Sequence, residues 1–125
     1  MNYLIDTNII IWYLERNEKL PAEIRNTIAT DDNTIFISIV SFWEIAIKYS
    51  MGRLNLPKPL NEIFDELSDS DYFKVLPLKT DHILYMTSLP FIHRDPFDRL
   101  IYSQARSENI SFCIQMKFSP IMKSC

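Results

Sequence analysis

The sequence lacks the features that hold a chain together without a hydrophobic core. It has two cysteines, Cys113 and Cys125, with no second cysteine or histidine at the spacing of a zinc site, so we expect free thiols. The longest uninterrupted apolar stretch, residues 9–14, is far shorter than the ~18 residues that a membrane span requires. An acid at position 6 interrupts the N-terminal apolar run too early for a signal peptide. We therefore expect a cytoplasmic protein with no membrane partner.

An excess of positive charge is also missing. The chain has 13 Lys and Arg against 16 Asp and Glu, a net charge of −3. This balance argues against a protein that binds nucleic acid over its whole surface, but it leaves room for a local basic patch. Scattered surface cations are the alternative interpretation. The candidate patch residues are Lys48, Arg53, Lys58, Arg94, Arg99 and Arg106.

What the sequence does contain is enough apolar material for one domain. A chain of 125 residues that is 47% hydrophobic can bury a core, and no repeat or linker divides it, so we expect a single domain over residues 1–125. Short apolar runs at 3–5, 34–38, 73–76 and 110–114 are typical of strands. Helical segments separate them. This alternation predicts a mostly parallel sheet covered by helices on both faces, a three-layer α/β/α sandwich.

The helices are predicted from capping residues and apolar periodicity. The first, after Asp6, is apolar nearly all round, so we expect it to be buried or covered by a partner. The third is predicted to end at Gly52, the only glycine. That third helix covers 41–49, and the remaining helices are expected from Pro21 to about residue 31, over 59–68, from a cap at Asp81 to Leu89, and from about 97 to 107.

Four acids lie where predicted strands end. Asp6 follows the first strand, Glu44 lies near the start of the helix after the second, and Asp95 and Asp98 flank the start of the helix before the fourth. Ligands of parallel sheets gather beyond the carboxyl ends of the strands. Carboxylates brought together repel one another, and oxygen ligands suit Mg²⁺ or Mn²⁺. The pattern predicts a metal site that activates water and neutralises a phosphoryl group.

Each of these acids also has a purely structural interpretation. Asp6 and Asp95 are well placed as helix N-caps, and Glu44 could complete a capping box with Ser41. Asp98 could form a surface ion pair with a neighbouring arginine. Spacing alone leaves these alternatives open, and only the joint location at strand ends favours a site. The candidate partners of Asp98 are Arg94 and Arg99.

The two histidines and four of the aromatic residues receive structural interpretations. Metal-assisted hydrolysis needs no histidine, so we expect His82 and His93 to make hydrogen bonds in loops. Four aromatic residues are expected in the core or on a partner-facing surface rather than as platforms for stacked bases. They are Trp12, Tyr13, Phe42 and Trp43.

Three segments, Leu4–Asn8, Ser38–Lys48 and His93–Ile101, carry the four acids in order. They resemble the signature blocks of PIN-domain ribonucleases, and most closely those of the VapC-type toxins of bacterial toxin–antitoxin modules. The resemblance covers the chain from its start to about residue 110. It implies a PIN-like sandwich with an acidic cleft that binds Mg²⁺ and hydrolyses RNA by metal-activated water.

The resemblance also implies roles and partners. Thr7 or Ser41 would hold a metal-bound water or a phosphate. The partners would be an RNA substrate, a cognate antitoxin and a second copy of the chain, with DNA contacted only through the antitoxin. The family's acids fall on Asp6, Glu44 and Asp98 as metal ligands and on Asp95 as a neighbouring catalytic acid.

The C-terminal segment departs from the family pattern. Members usually carry a fourth acid just after the last core strand, and Met116 stands nearest to that position. No Asp or Glu follows Glu108, so residues 115–125 are an atypical end of the domain. This departure leaves an alternative function, a catalytically impaired domain that binds an antitoxin and its own copy as an interaction or co-repressor module.

Overall fold

The computed structural model describes residues 1–89 and 95–113. Over these residues the chain forms four strands and six helices. The strands are β1 (Asn2–Ile5), β2 (Thr34–Ser38), β3 (Phe73–Leu76) and β4 (Ser111–Cys113). The helices are α1 (Thr7–Glu15), α2 (Ala22–Ala29), α3 (Ile39–Ser50), α4 (Leu60–Asp69), α5 (Thr80–Met86) and α6 (Pro96–Ser107).

The strands form one sheet in the order β3-β2-β1-β4, and each neighbouring pair is parallel. Leu4 in β1 lies opposite Phe36 in β2 and Phe112 in β4, which fixes the register. The chain adds β2 and β3 on one side of β1 and then places β4 on the other side. The strand order therefore reverses at β1 and β4, where an open parallel sheet forms its ligand crevice.

Alternating side chains of the strands build a core on each face of the sheet. Ile5 and Ile37 pack with buried side chains of α1, α2, α3 and α4. Leu4 and Phe112 pack on the opposite face with Ile101 and other side chains of α6, and α5 lies against α6. Helices thus cover both faces, and the predicted sandwich with a parallel sheet is confirmed.

The start of α3 differs from the prediction. The helix begins at Ile39, directly after β2, and its N-cap is Ser38, whose Oγ accepts the N–H of Val40 at 3.0 Å. Ser41 therefore lies inside the first turn, and the alternative interpretation of Glu44 as part of a capping box does not hold. The reason is that the strand passes into the helix without a loop, so the serine at the strand end meets the first free amides.

The predicted cap of α5 is also wrong. The helix begins one residue before Asp81, and Lys79 occupies the N-cap position. The backbone N–H of Lys79 donates to Nδ1 of His82 at 3.0 Å, so a side chain inside the first turn satisfies the helix start. The helix ends at Met86 and not at Leu89, because turns follow.

One expectation about the cysteines is wrong. Cys113, at the end of β4, is disulfide-bonded and not a free thiol. Sequence spacing does not report how closely two sulfur atoms approach in a fold. Cys125, with the other residues of segment 115–125, lies outside the described residues. Among the helices that the structure describes, none combines the length and the apolar character needed to cross a membrane.

Candidate active site

Three helices begin at the carboxyl edge of the sheet. α1 and α3 directly follow β1 and β2, and α6 leads back toward the start of β4, so the amino ends of all three lie at this edge. The amino end of a helix carries partial positive charge and favours nearby anionic groups. This edge can therefore accommodate several carboxylates.

Asp6 connects β1 to α1. Its side chain is buried and its Oδ1 accepts the N–H of Ile9 at 2.9 Å, so the capping interpretation is confirmed. Its backbone N–H donates to the carbonyl of Cys113 at 3.0 Å, which ties it to the end of β4. The acid is thus held at the reversal of strand order, and the cap uses one carboxylate oxygen of two.

Asp95 holds the start of α6 in the same way. Its Oδ1 accepts the backbone N–H of Phe97 at 2.8 Å and that of Asp98 at 3.4 Å, and Pro96 occupies the first turn. The capping interpretation is again confirmed. The cap directs the first turn of α6, and with it Asp98, toward the carboxyl edge.

Glu44 lies in the second turn of α3 and does not cap the helix. The residue is only 7% exposed. Its Oε2 lies 3.3 Å from Nζ of Lys48, and its buried Oε1 has no hydrogen-bond partner among the described residues. A buried oxygen left without a donor is costly, typically ~1–3 kcal/mol. This atom therefore indicates a place for a cation or a donor.

The pKa of Asp98 reflects the combined charge of the neighbouring acids. Burial is the largest cause that raises its pKa to about 7, and the negative charges of Asp95, Asp6 and Glu44 raise it further. Lys48 opposes this shift and contributes less. The four acids predicted from the sequence therefore share one electrostatic environment, which we call the acidic cleft.

The acidic cleft does not have the geometry of a closed metal site. Within residues 1–89 and 95–113, no three His, Cys, Asp or Glu side chains are arranged to hold a metal ion directly. Charge repulsion acts over ~10 Å, whereas Mg²⁺ ligands lie within ~2.1 Å of the ion. Mg²⁺ often uses one or two carboxylates and several waters. The oxygen-only donors and the unpartnered Oε1 of Glu44 fit such a cation.

Two hydroxyls behind the cleft bind each other. Thr7 Oγ1 donates to Ser41 Oγ at 2.9 Å, and both residues are buried. This bond joins α1 to α3, and it engages the hydroxyl hydrogen of Thr7. The role of either residue toward a water or a phosphate stays a prediction.

Sequence reasoning missed the residue that fixes α6 to the strand ends. Gln104 is fully buried, its Oε1 accepts a hydrogen bond from the Ser38 hydroxyl, and its Nε2 donates to the carbonyl of Pro77 at 3.2 Å. A signal existed, because Gln104 lies three residues after the buried Ile101 on the inner side of α6. Its partners could not be inferred, since they come from β2 and the segment after β3.

The predicted basic patch is partly engaged in ion pairs. Lys48 pairs with Glu44 inside the acidic cleft, at the i, i+4 spacing that the sequence already displays. Lys58 pairs with Glu66 on α4, away from the cleft. Arg94 and His93 lie outside the described residues.

Comparison with known proteins identifies the family. The profile of the PIN domain matches residues 3–113, so the chain belongs to the PIN domain family, and the predicted membership is confirmed. PIN domains are generally nucleases. No match is found among curated proteins.

Solved structures share the fold. A chain of the VapBC2 complex from Rickettsia felis, bound to a DNA fragment from their promoter, is 18% identical with a TM-score of 0.69, covering 100% of this chain and 98% of its own. A chain of a toxin–antitoxin complex from Klebsiella pneumoniae is 16% identical with a TM-score of 0.65, covering 98% and 96%. FitAcB from Neisseria gonorrhoeae is 17% identical with a TM-score of 0.63, covering 93% and 88%.

Proposed function

We propose that this chain is an Mg²⁺-dependent endoribonuclease that acts in the cytoplasm as the toxin of a toxin–antitoxin module. The observation that carries the proposal is the acidic cleft, where burial and then the negative charges of Asp95, Asp6 and Glu44 raise the pKa of Asp98. Membership of the PIN domain family supports a nuclease. The choice of RNA, of Mg²⁺ with Mn²⁺ as a substitute, and of a toxin role is our inference.

Asp6, Glu44 and Asp98 would hold the cation directly or through its bound waters, and the cation supplies an activated water and neutralises charge on a phosphodiester when bound. Asp98 must lose the proton that burial and repulsion favour, and the unpartnered Oε1 of Glu44 must gain a partner. Asp95 keeps α6 in place and adds negative charge beside them. Lys48 would offer its ammonium group to a phosphate oxygen.

We place the antitoxin in an open groove of about 920 Å³ near the C-terminal end of α1. Trp12, Leu20 and Ile63 give it an apolar lining, while Arg25 and Glu66 provide charges. An amphipathic segment suits such a mixed surface. The solved neighbours that include toxin–antitoxin complexes support this partner, and we include a homodimer and an indirect contact with DNA in the proposal.

The tail limits the activity that we expect. Met116 lies outside the described residues and stands where the family usually has an acid. With three carboxylates for one cation and none there for a second, we expect cleavage by a single metal ion and a reduced rate.

The test is RNA cleavage by the purified chain in Mg²⁺, in EDTA, and with the Asp6→Asn variant. Loss of a direct ligand should lower the rate by more than ~100-fold, since even indirect metal partners contribute up to that factor. Asn caps a helix as well as Asp, so α1 should remain folded. Circular dichroism of the variant checks this.

Equal rates for a folded Asp6→Asn variant and the parent would refute the site. Asp81→Asn, an exposed acid on α5, serves as the matched control and should cleave normally. If parent and Met116→Asp are both inert but retain a small protein partner, the alternative of an interaction or co-repressor module becomes the better function.

A further inference from the structure

A large aromatic side chain lies exposed beside the acidic cleft. Trp43 precedes Glu44 on α3 and is 60% exposed. Single exposed apolar side chains are common on proteins and by themselves indicate nothing. Trp43 differs because a second aromatic ring holds its side chain and because it lies beside the acidic cleft.

The Trp43 side chain is anchored by a second aromatic ring. Its ring centroid lies 5.0 Å from that of Phe97, with an angle of 72° between the planes. Phe97 is half-buried and packs against the core formed on the α6 face of the sheet. In an edge-to-face pair one ring presents only its edge, so Phe97 can cover at most one face of the indole. The 60% exposure of Trp43 leaves ring surface accessible to a planar ligand.

The aromatic pair lies at the border of the acidic cleft. Trp43 immediately precedes Glu44 on α3, and Phe97 immediately precedes Asp98 on α6. Successive residues on a helix project ~100° apart, so the rings line the border while the carboxylates face the cleft. The ring contact between Trp43 and Phe97 and the packing of α3 against α6 show that the two helices bring these neighbours together.

We propose that the face of Trp43, supported by Phe97, stacks on an unpaired base next to the phosphodiester held in the acidic cleft. This makes Trp43 a substrate-positioning residue of the candidate site and rests on the proposed nuclease function. Base faces are open in single strands and hidden in duplexes, so stacking selects unpaired RNA. The sequence-based expectation of a core or partner-facing role for Trp43 would then be incomplete.

Binding of a labelled single-stranded oligoadenylate, followed by fluorescence anisotropy in Mg²⁺, tests the proposal. The Asp6→Asn background prevents cleavage of the probe. Trp43→Ala should raise Kd by about 5- to 150-fold, the range for loss of one stacked base. Trp43→Phe should retain most of the affinity, and Trp43→Leu, which is apolar without a ring face, should not.

The matched control is Tyr72→Ala. Tyr72 is 68% exposed and precedes β3, which places it at the amino edge of the sheet, opposite the cleft. Its loss should leave Kd unchanged. In a Trp12→Phe background, where Trp43 is the remaining tryptophan, single-stranded oligoadenylate should quench the fluorescence and the matching duplex should not.

Three results would overturn the proposal. They are no binding of the single strand, equal Kd values for parent and Trp43→Ala, and full affinity with Trp43→Leu. Sedimentation supplies a further check, because a dimer that dissociates in Trp43→Ala without a change in Kd would make this surface an interface between copies. Comparing binding with cleavage separates the stacking proposal from the nuclease proposal. Binding that depends on Trp43 without any cleavage would refute only the nuclease proposal. Cleavage with unchanged kcat and KM in Trp43→Ala would refute only the stacking proposal.

Discussion

Two polar clusters of this domain shift the pKa of a carboxyl group in opposite directions. In the acidic cleft, burial and neighbouring carboxylates raise the pKa of Asp98 to about 7. In a second cluster, which joins α5 to α6 and which we call the α5–α6 brace, a hydrogen bond from His82 is the main cause that lowers the pKa of Glu108. The brace stabilises the charged form of Glu108, whereas the cleft destabilises the charged form of Asp98.

The brace is a satisfied hydrogen-bond network. Nδ1 of His82 accepts the N–H of Lys79, so a neutral ring must carry its proton on Nε2, which lies 2.7 Å from Oε2 of Glu108. The hydroxyl of Ser103 donates to the carbonyl of His82. The predicted hydrogen-bonding role of His82 is therefore observed, although in a helix and not in a loop.

The difference teaches how to separate a structural cluster from a candidate site by its electrostatics. A network that stabilises the fold gives each charge a partner. A site that awaits a positively charged ligand keeps repulsion, which shows in the unpartnered Oε1 of Glu44 and the raised pKa of Asp98. Each of three substitutions tests one side of this comparison.

Breaking the brace should have the largest effect on stability. His82→Leu removes both hydrogen bonds of a fully buried ring and should lower the free energy of unfolding by about 3 kcal/mol. Urea unfolding measures this change, with the exposed Ile83→Ala on the same helix as a near-neutral control. Because the hydrogen bonds of the brace given above include none of the cleft acids, Mg²⁺ binding by the folded variant should be unchanged. An altered Mg²⁺ affinity would show that the two clusters are coupled.

Removing repulsion from the cleft should stabilise the metal-free protein. Asp98 is protonated in both states only well below its ordinary pKa of 3.8, and its raised pKa disfavours folding increasingly as the pH rises from there toward 7. In EDTA at pH 8, Asp98→Asn should therefore gain about 1–2 kcal/mol, a value reduced for partial exposure. The gain should vanish below about pH 3, where the carboxyl is protonated in both states.

Mg²⁺ should reverse the order of stability of the parent and Asp98→Asn. It should raise the Tm of the parent and have little effect on Asp98→Asn, since ligands stabilise the state that binds them. Thermal unfolding in EDTA and in Mg²⁺ measures both arms. A parent that is already the more stable protein in EDTA at pH 8 would contradict the repulsion inferred for the cleft.

The smallest effect is expected at Glu108. Its lowered pKa contributes stability that is present above the ordinary value of 4.5 and is lost as the pH falls through the lower folded value. Glu108→Gln should therefore be slightly less stable than the parent at pH 7 and equal to it in stronger acid. Urea unfolding at both pH values checks this. A difference that grows in acid would mean that the carboxylate is not the stabilising form.

Local patterns predicted much of the fold and of the cleft. Strand runs, helix periodicity and the acids at strand ends follow from neighbouring residues, which is why the caps Asp6 and Asp95 were predictable. The capping alternative for Glu44 stayed open in the sequence because a local pattern does not show that β2 continues into α3 without a loop. Gln104 and its partners depend on contacts between distant segments, which no local pattern encodes.

The direct passage from β2 into α3 has one more consequence. Ser38 is both the last residue of β2 and the N-cap of α3, and Gln104 holds its hydroxyl. The end of the strand therefore sets the rotation of α3 about its own axis. One inserted residue would turn everything beyond it by ~100°. Glu44 would leave the cleft and Trp43 would lose its partner ring. The junction therefore tolerates changes of side chain far better than changes of length.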